Sequence, residues 1–187
     1  YANNQNSIYF TINSFKDEEN SFLNEHKYPS KVKGNVSKVK ALVFDFDDPN
    51  TSVSNVVNLI KTLKILPTYT LRTSPRKFQI CFMLNDSVDS LNWEKVNKTL
   101  AYYFNSDINV CSIEKLFRFP YFINRKNDFE TTLQNFDFNR KYDFTIFEDF
   151  IKNTLDNKMI DSKNRANKIK HNAPRIRKLI PKDSIVY

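Results

Sequence analysis

Residues 39–48 read V-K-A-L-V-F-D-F-D-D and stop at Pro49 and Asn50. A run of β-branched and aromatic residues that breaks into carboxylates and a turn predicts a strand with acid at its tip. Side chains alternate across a strand, so Leu42, Phe44 and Phe46 share one face while Val43, Asp45 and Asp47 share the other. Two residues along a strand span roughly 6.5 Å of backbone. Both carboxylates can therefore converge on a pair of cations about 4 Å apart, the arrangement that two-metal phosphoryl transfer requires. The same pattern also arises where an acidic strand end simply precedes a helix, so the rest of the chain must decide.

The flanking segments have to hold that tip in place. Thr51 or Ser52 can cap a helix whose apolar residues Val53, Val56, Val57, Ile60 and Leu63 recur at helical spacing, and Pro67 closes the connection. Residues 68–73 then read as a strand, 74–77 as a turn containing Pro75, and 78–84 as a second strand. Phe78, Ile80, Phe82 and Leu84 form its apolar face, with Gln79, Cys81 and Met83 opposite. Asp89 and Ser90 start a helix with Trp93, Val96, Leu100, Tyr103 and Phe104 as its buried stripe. The apolar run 116–123 follows as a fourth strand. Upstream, 7–15 read as a first strand and 16–38 as a polar loop or irregular helix. Downstream, 145–155 predict a helix with Phe147, Phe150, Ile151 and Leu155 facing inward. From Val39 onward the order is the split β-α-β-β-α-β of ferredoxin-like and RNA-recognition (RRM-like) folds, an α+β class whose helices cover one sheet face. Asp45, Asp47 and Gln79 then stand together on the open face.

Composition narrows the classes. The 187 residues include 17 Phe and 9 Tyr, enough for a core without staples, and no apolar run approaches the ~20 residues of a membrane span. A soluble chain with no membrane partner is expected. Cys81 and Cys111 fit neither a disulfide framework nor a metal knuckle; they read as ordinary small hydrophobes and point to a reducing, cytoplasmic setting. His26 and His171 are the only histidines, which argues against a paired-histidine nicking site and against zinc catalysis. The chain begins at Tyr1 with no signal peptide, so a fragment of a longer protein is expected. The net charge of +8 is uneven: residues 158–182 hold nine Lys and Arg against the single Asp161. A localised basic segment is the electrostatic footprint of a nucleic-acid partner, although a solvated helix face or linker carries the same charge.

Three stretches now line up: F-D-F-D-D at 44–48, R-T-S-P-R-K-F-Q at 72–79, and D-I-N-V-C-S-I-E-K-L-F-R-F-P-Y-F-I-N-R-K at 107–126. In this order they resemble the RepB-like primases of plasmids and phages, a branch of the archaeo-eukaryotic primase (prim-pol) superfamily. The resemblance implies that Asp45 and Asp47 are metal ligands. It implies that Thr73, Ser74, Pro75, Lys77 and Gln79 form a segment contacting nucleotide phosphates, and that Asp107, Arg118, Pro120, Asn124 and Lys126 form the third motif. Gln79 stands where many members have His, Tyr121 where Gly is usual, and Ser112 where a second Asp often occurs. With Ser112 a poor metal ligand, Asp107 is the expected third carboxylate. The implied activity is a nucleotidyltransferase, a DNA primase and polymerase of a mobile element's replication protein. Its cofactor would be Mg²⁺ or Mn²⁺, its substrates nucleoside triphosphates, and its template single-stranded DNA, with a helicase domain or protein as a further partner.

The chemistry agrees with that implication. Nucleotidyl transfer needs hard oxygen ligands for divalent cations, which Asp45, Asp47 and Asp107 supply. Arg72, Lys77, Arg118 and Lys126 can then hold the triphosphate, and Gln79 can reach a phosphate by a neutral hydrogen bond. Two other readings compete. A catalytically silent origin-binding module would make the acidic strand structural. A haloacid-dehalogenase-like phosphatase also has a D-x-D strand, but the later Lys and acidic pair it needs have no place here. The domain division expected is a catalytic domain at 1–157 and a helical basic C-terminal segment at 158–187.

That segment generates a first prediction. Its bases lack apolar periodicity, and Pro174 and Pro181 interrupt any long helix, so contact must be mostly with phosphates. Deleting the residues after Leu155 should weaken binding to single-stranded DNA and flatten the salt dependence, by roughly 0.7 in log–log slope per lost contact. An unchanged affinity and slope in a salt titration would reduce the segment to a tether.

Overall fold

The computed structural model describes residues 8–17 and 30–154. The basic stretch 158–182 and Leu155 lie outside the described residues. Two short strands, β1 (Tyr9–Thr11) and β2 (Ser14–Phe15), precede the long β3 (Val36–Phe46). Helix α1 (Ser52–Leu63) leads to the hairpin of β4 (Tyr69–Ser74) and β5 (Lys77–Val88), and then to α2 (Ser90–Phe104). Short strands β6 (Leu116–Arg118), β7 (Ile123–Asn124), β8 (Phe129–Glu130) and β9 (Thr132–Phe136) follow, and α3 (Thr145–Thr154) closes the described chain. The main sheet is antiparallel in the order β2-β3-β5-β4-β9. The architecture is the α+β class expected.

The central pair sets the register. Along β3 and β5, Leu42 faces Phe82, Phe44 faces Ile80, Asp45 faces Gln79 and Phe46 faces Phe78. Leu42, Phe44, Phe46, Ile80 and Phe82 are buried in one cluster with Leu59 and Leu63 of α1, Trp93, Val96, Leu100 and Phe104 of α2, and Phe147 of α3. The predicted alternation holds on both strands, and Phe150 and Ile151 pack against the same core. Asp89 caps α2 by accepting hydrogen bonds from the backbone N–H groups of Leu91 and Asn92.

Three expectations change. Helix α1 is rotated: Ser52, Leu59 and Leu63 are buried and Val56 is half-buried, while Val53 and Val57 face solvent. The Ser52 hydroxyl donates to the Arg76 carbonyl in the β4–β5 turn, which fixes the first turn against the hairpin. Asp48 organises the start of α1, accepting from the Asn50 N–H and the Thr51 hydroxyl; these bonds hold its carboxyl below its ordinary value. The first predicted strand breaks into β1 and β2 around the bend at Ile12 and Asn13. Part of the run 116–123 is a strand, but β6 pairs with β1 in a separate ribbon, and β9 takes the sheet edge beside β4. Pro120 has no N–H to give a ladder. Tyr121 then takes φ 66°, which turns the chain away.

The sheet's other face keeps its polar end open but is roofed further along. Ala41, Val43, Tyr69, Leu71 and Cys81 form a second buried cluster with Val110, Cys111 and Phe117. Both cysteines are free thiols, and burial raises each well above its ordinary value, Cys111 to about 12. They act as small hydrophobes, as expected. No helix among the described residues is long and apolar enough to cross a membrane.

Trp93 ties the helical layer to the sheet, its indole N–H donating to the Ala41 carbonyl at 2.8 Å in the buried interior. Trp93→Phe keeps an aromatic ring but strands that carbonyl, and is expected to cost roughly 1–3 kcal/mol in urea unfolding. Wild-type stability in the variant would show that the bond is dispensable.

Candidate active site

Asp45 lies near the end of β3, and its backbone is held from below by the chain leaving α2. That helix ends at Asn105, a left-handed residue with φ 56°. The reversal brings Ser106 and Asp107 against the strand. The Ser106 hydroxyl accepts from the Asp45 N–H at 2.9 Å and donates to the Asp45 carbonyl at 3.1 Å, while the Asp107 N–H donates to the same carbonyl at 2.8 Å. This backbone clip brings the charge of Asp107, far away in sequence, to bear on Asp45. The sequence reading missed Ser106; the only trace of its role is the polar run N-S-D directly after an apolar helix.

Around the Asp45 carboxylate the charge is unbalanced. Oδ2 accepts from Gln79 Nε2 at 3.3 Å, while Oδ1 is buried with no hydrogen-bond partner among the described residues. Burial and the neighbouring Asp47 push this carboxyl up from 3.8 to about 7, with Asp107 adding to the rise and the Gln79 bond and Lys77 opposing it. The Gln79 carbonyl oxygen is also buried without a partner. Exposed Asp47 is paired with Lys77 at 3.3 Å. Orphaned hard oxygens beside a carboxylate are the type of donor that a divalent cation takes. Asp107 has turned its own Oδ1 to the N–H and side-chain amide of Asn109, at 2.9 and 2.8 Å. Among the described residues no three His, Cys, Asp or Glu side chains gather closely enough to hold a metal.

The bases and amides divide into two groups. Lys77 and Gln79 stand at the carboxylates. Arg72, Thr73, Ser74 and Asn124 are tied into the hairpin: the Arg72 guanidinium donates twice to the Pro75 carbonyl, at 3.1 and 2.6 Å, and lies over the Phe129 ring. Buried Asn124 donates to the Thr73 carbonyl at 2.9 Å, and its side-chain oxygen accepts from the Lys126 N–H. Thr73 and Ser74 are buried, and the Thr73 hydroxyl is turned to the Lys77 carbonyl at 3.5 Å. Arg118 places its guanidinium 5.1 Å from the Tyr9 ring centre, and the Lys126 side chain is exposed. Gln79 is on the face opposite the helical core, as the alternation requires, but it is buried and its amide N–H faces Asp45 rather than solvent.

The raised Asp45 carboxyl has a measurable consequence. Between about pH 4 and pH 7 the folded, metal-free protein keeps a proton that the unfolded chain has released, so stability falls as pH rises through that window. Asp45→Asn removes the burden and can satisfy the Gln79 carbonyl. In a chelator at pH 8 the variant should be more stable than wild type by roughly 1–3 kcal/mol, the gap closing toward pH 4. Equal denaturation midpoints at both pH values would refute the electrostatic account.

No family model matches this chain, and no curated protein matches it in sequence. Solved structures do match in fold. The primase-polymerase domain of cyanophage S-2L superposes with a TM-score of 0.53 at 14% identity, over 65% of this chain and 63% of that one. The primase RepB′ superposes with a TM-score of 0.51 at 14% identity, over 73% of this chain and 46% of that one. The chain thus spans less than two thirds of the length of either structure. Its sheet and helices have the archaeo-eukaryotic primase-like fold.

Proposed function

We propose that this chain is the catalytic portion of a metal-dependent DNA primase and polymerase, synthesising primers on single-stranded DNA from nucleoside triphosphates in the replication of a plasmid or phage. The observation that carries the reading is Asp45: a buried carboxylate with one oxygen unpartnered, under the charge of Asp47 and Asp107, near the end of β3. Asp45 and Asp47 would hold Mg²⁺ or Mn²⁺, with Asp107 contributing once its carboxylate leaves Asn109. The bound cation would activate the primer's 3′-hydroxyl and neutralise triphosphate charge.

The chain's own groups have definite tasks in this reading. Gln79 fixes the Asp45 carboxylate by holding Oδ2. Lys77 is paired only at the surface with Asp47, and such an exposed pair is weak enough to be exchanged for a phosphate. Arg118 and Lys126 add positive charge, while Arg72, Thr73, Ser74 and Asn124 keep the hairpin rigid beneath the nucleotide. The fold likeness favours this reading over the phosphatase, whose acidic strand belongs to a parallel sheet; here β3 runs antiparallel to its neighbours β2 and β5. A helicase partner remains part of the proposal as the source of unwound template.

Primer synthesis on single-stranded DNA with Mg²⁺ and with Mn²⁺ tests it. Wild type should make product, and Asp45→Ala/Asp47→Ala should lose at least about 10³-fold in rate, as expected when charge stabilisation at the reacting phosphate is removed. Folding and DNA binding should be retained. Full activity in the double variant would sink the site assignment, and wild type that binds DNA without any synthesis would favour the silent binding module.

A further inference from the structure

On the sheet face that carries Asp45, an aromatic cleft of about 350 Å³ lies beyond the carboxylates. Tyr69, Leu71 and Leu133 line it from the sheet, with Phe10, Phe119 and Phe138 from the segments above and beside it. The strand register locates it. Leu71 pairs with Gln79 and Gln79 pairs with Asp45, so the lining begins in the same cross-strand row as the carboxylate, two strand spacings or about 10 Å away.

The lining limits the occupant. No charged side chain takes part, and the only side-chain hydroxyls are those of Thr11 and Tyr69. The volume has room for one or two planar rings, but not for a helix about 10–12 Å across. At the rim, Phe119 and Phe138 are 43% and 53% exposed, which leaves aromatic surface facing water.

We propose that the cleft stacks unpaired bases of a nucleic-acid strand and so holds that strand beside the Asp45 carboxylate. Every base offers a π-face to an aromatic ring, whereas reading a base edge takes donors and acceptors that this lining lacks. A template has to be accepted whatever its sequence, and stacking without edge contacts does that. Only the strand's role as template rests on the primase-polymerase reading; the stacking itself does not.

The test is binding of fluorescent oligo(dT), and of an abasic strand of equal length, to the full chain in chelator over a series of salt concentrations. Wild type should bind the abasic strand more weakly, with the same salt slope, since both strands carry the same phosphates. Phe119→Ala and Phe138→Ala should each weaken oligo(dT) binding roughly 5- to 100-fold, leave the salt slope unchanged and barely affect the abasic strand. Phe119→Trp should restore binding. Equal wild-type affinity for the two strands would overturn the proposal without any variant. So would Ala variants that bind oligo(dT) normally, or that lose affinity for both strands alike, or that change only self-association in light scattering. Because no catalysis is measured, a chain that stacks bases but makes no primers would refute the polymerase reading alone, and one that makes primers with indifferent rings would refute the cleft alone.

Discussion

The register that sets Asp45 against Gln79 is the constraint on which the rest of the molecule depends. A slip of one residue between β3 and β5 would exchange the faces of β3, burying Asp45 against Phe82 and Leu100 and turning Phe44 and Phe46 out of the core. Burial of Phe44, Phe46, Phe82 and Phe104, each 1% exposed or less, holds that register. At roughly 1.5–3 kcal/mol per large apolar side chain, the greasy face outweighs what a misplaced carboxylate costs on the other. The core therefore fixes the site's geometry without touching its chemistry.

That cost is nevertheless real, and it is concentrated at one atom. Asp45 Oδ1 has no protein donor among the described residues, and Asp47 and Asp107 add like charge around it. A stability-optimised fold would place a donor there. The backbone clip from Ser106 and Asp107 works in the opposite direction, since it draws a second acid toward the first. Such an arrangement makes physical sense where a cation supplies the missing positive charge.

The second face divides its work between burial and exposure. The ribbon of β1 and β6 with the turn around Val110 covers Val43 and Cys81, and stops short of the strand tips. Tyr121 shows how sharply this cover is bent: a bulky residue held at φ 66°, where glycine would be unstrained, with its N–H bonded to the Thr131 carbonyl. Confining the cover to the middle of the sheet leaves a polar end at Asp47 and an aromatic cleft at the rim.

The local pattern of residues was sufficient for α1, α2 and α3, for β3, β4 and β5, for the alternation of β3 and β5, the Asp89 cap and the acidic tip, because these depend on period and turn chemistry within a few residues, but it gave no sign of the edge strand β9. It also brought out a motif order that resembles primases, whose expected fold the structure comparison shows. Local pattern misjudged the rotation of α1, because Val53 and Val57 look as apolar as Leu59 and Leu63 until the Ser52 bond to Arg76 orients the helix. It placed residues 116–123 in the main sheet, since strand propensity says nothing about which edge a strand will join. It gave no sign that the side chains of Arg72 and Asn124 hydrogen-bond to the hairpin backbone, since those bonds form across the folded hairpin. The sequence by itself determined which residues are greasy, acidic or turn-forming. Only the tertiary structure decided which of the acids lost its solvent and which polar groups were already taken, because burial and hydrogen-bond partners come from segments 34 to 61 residues away.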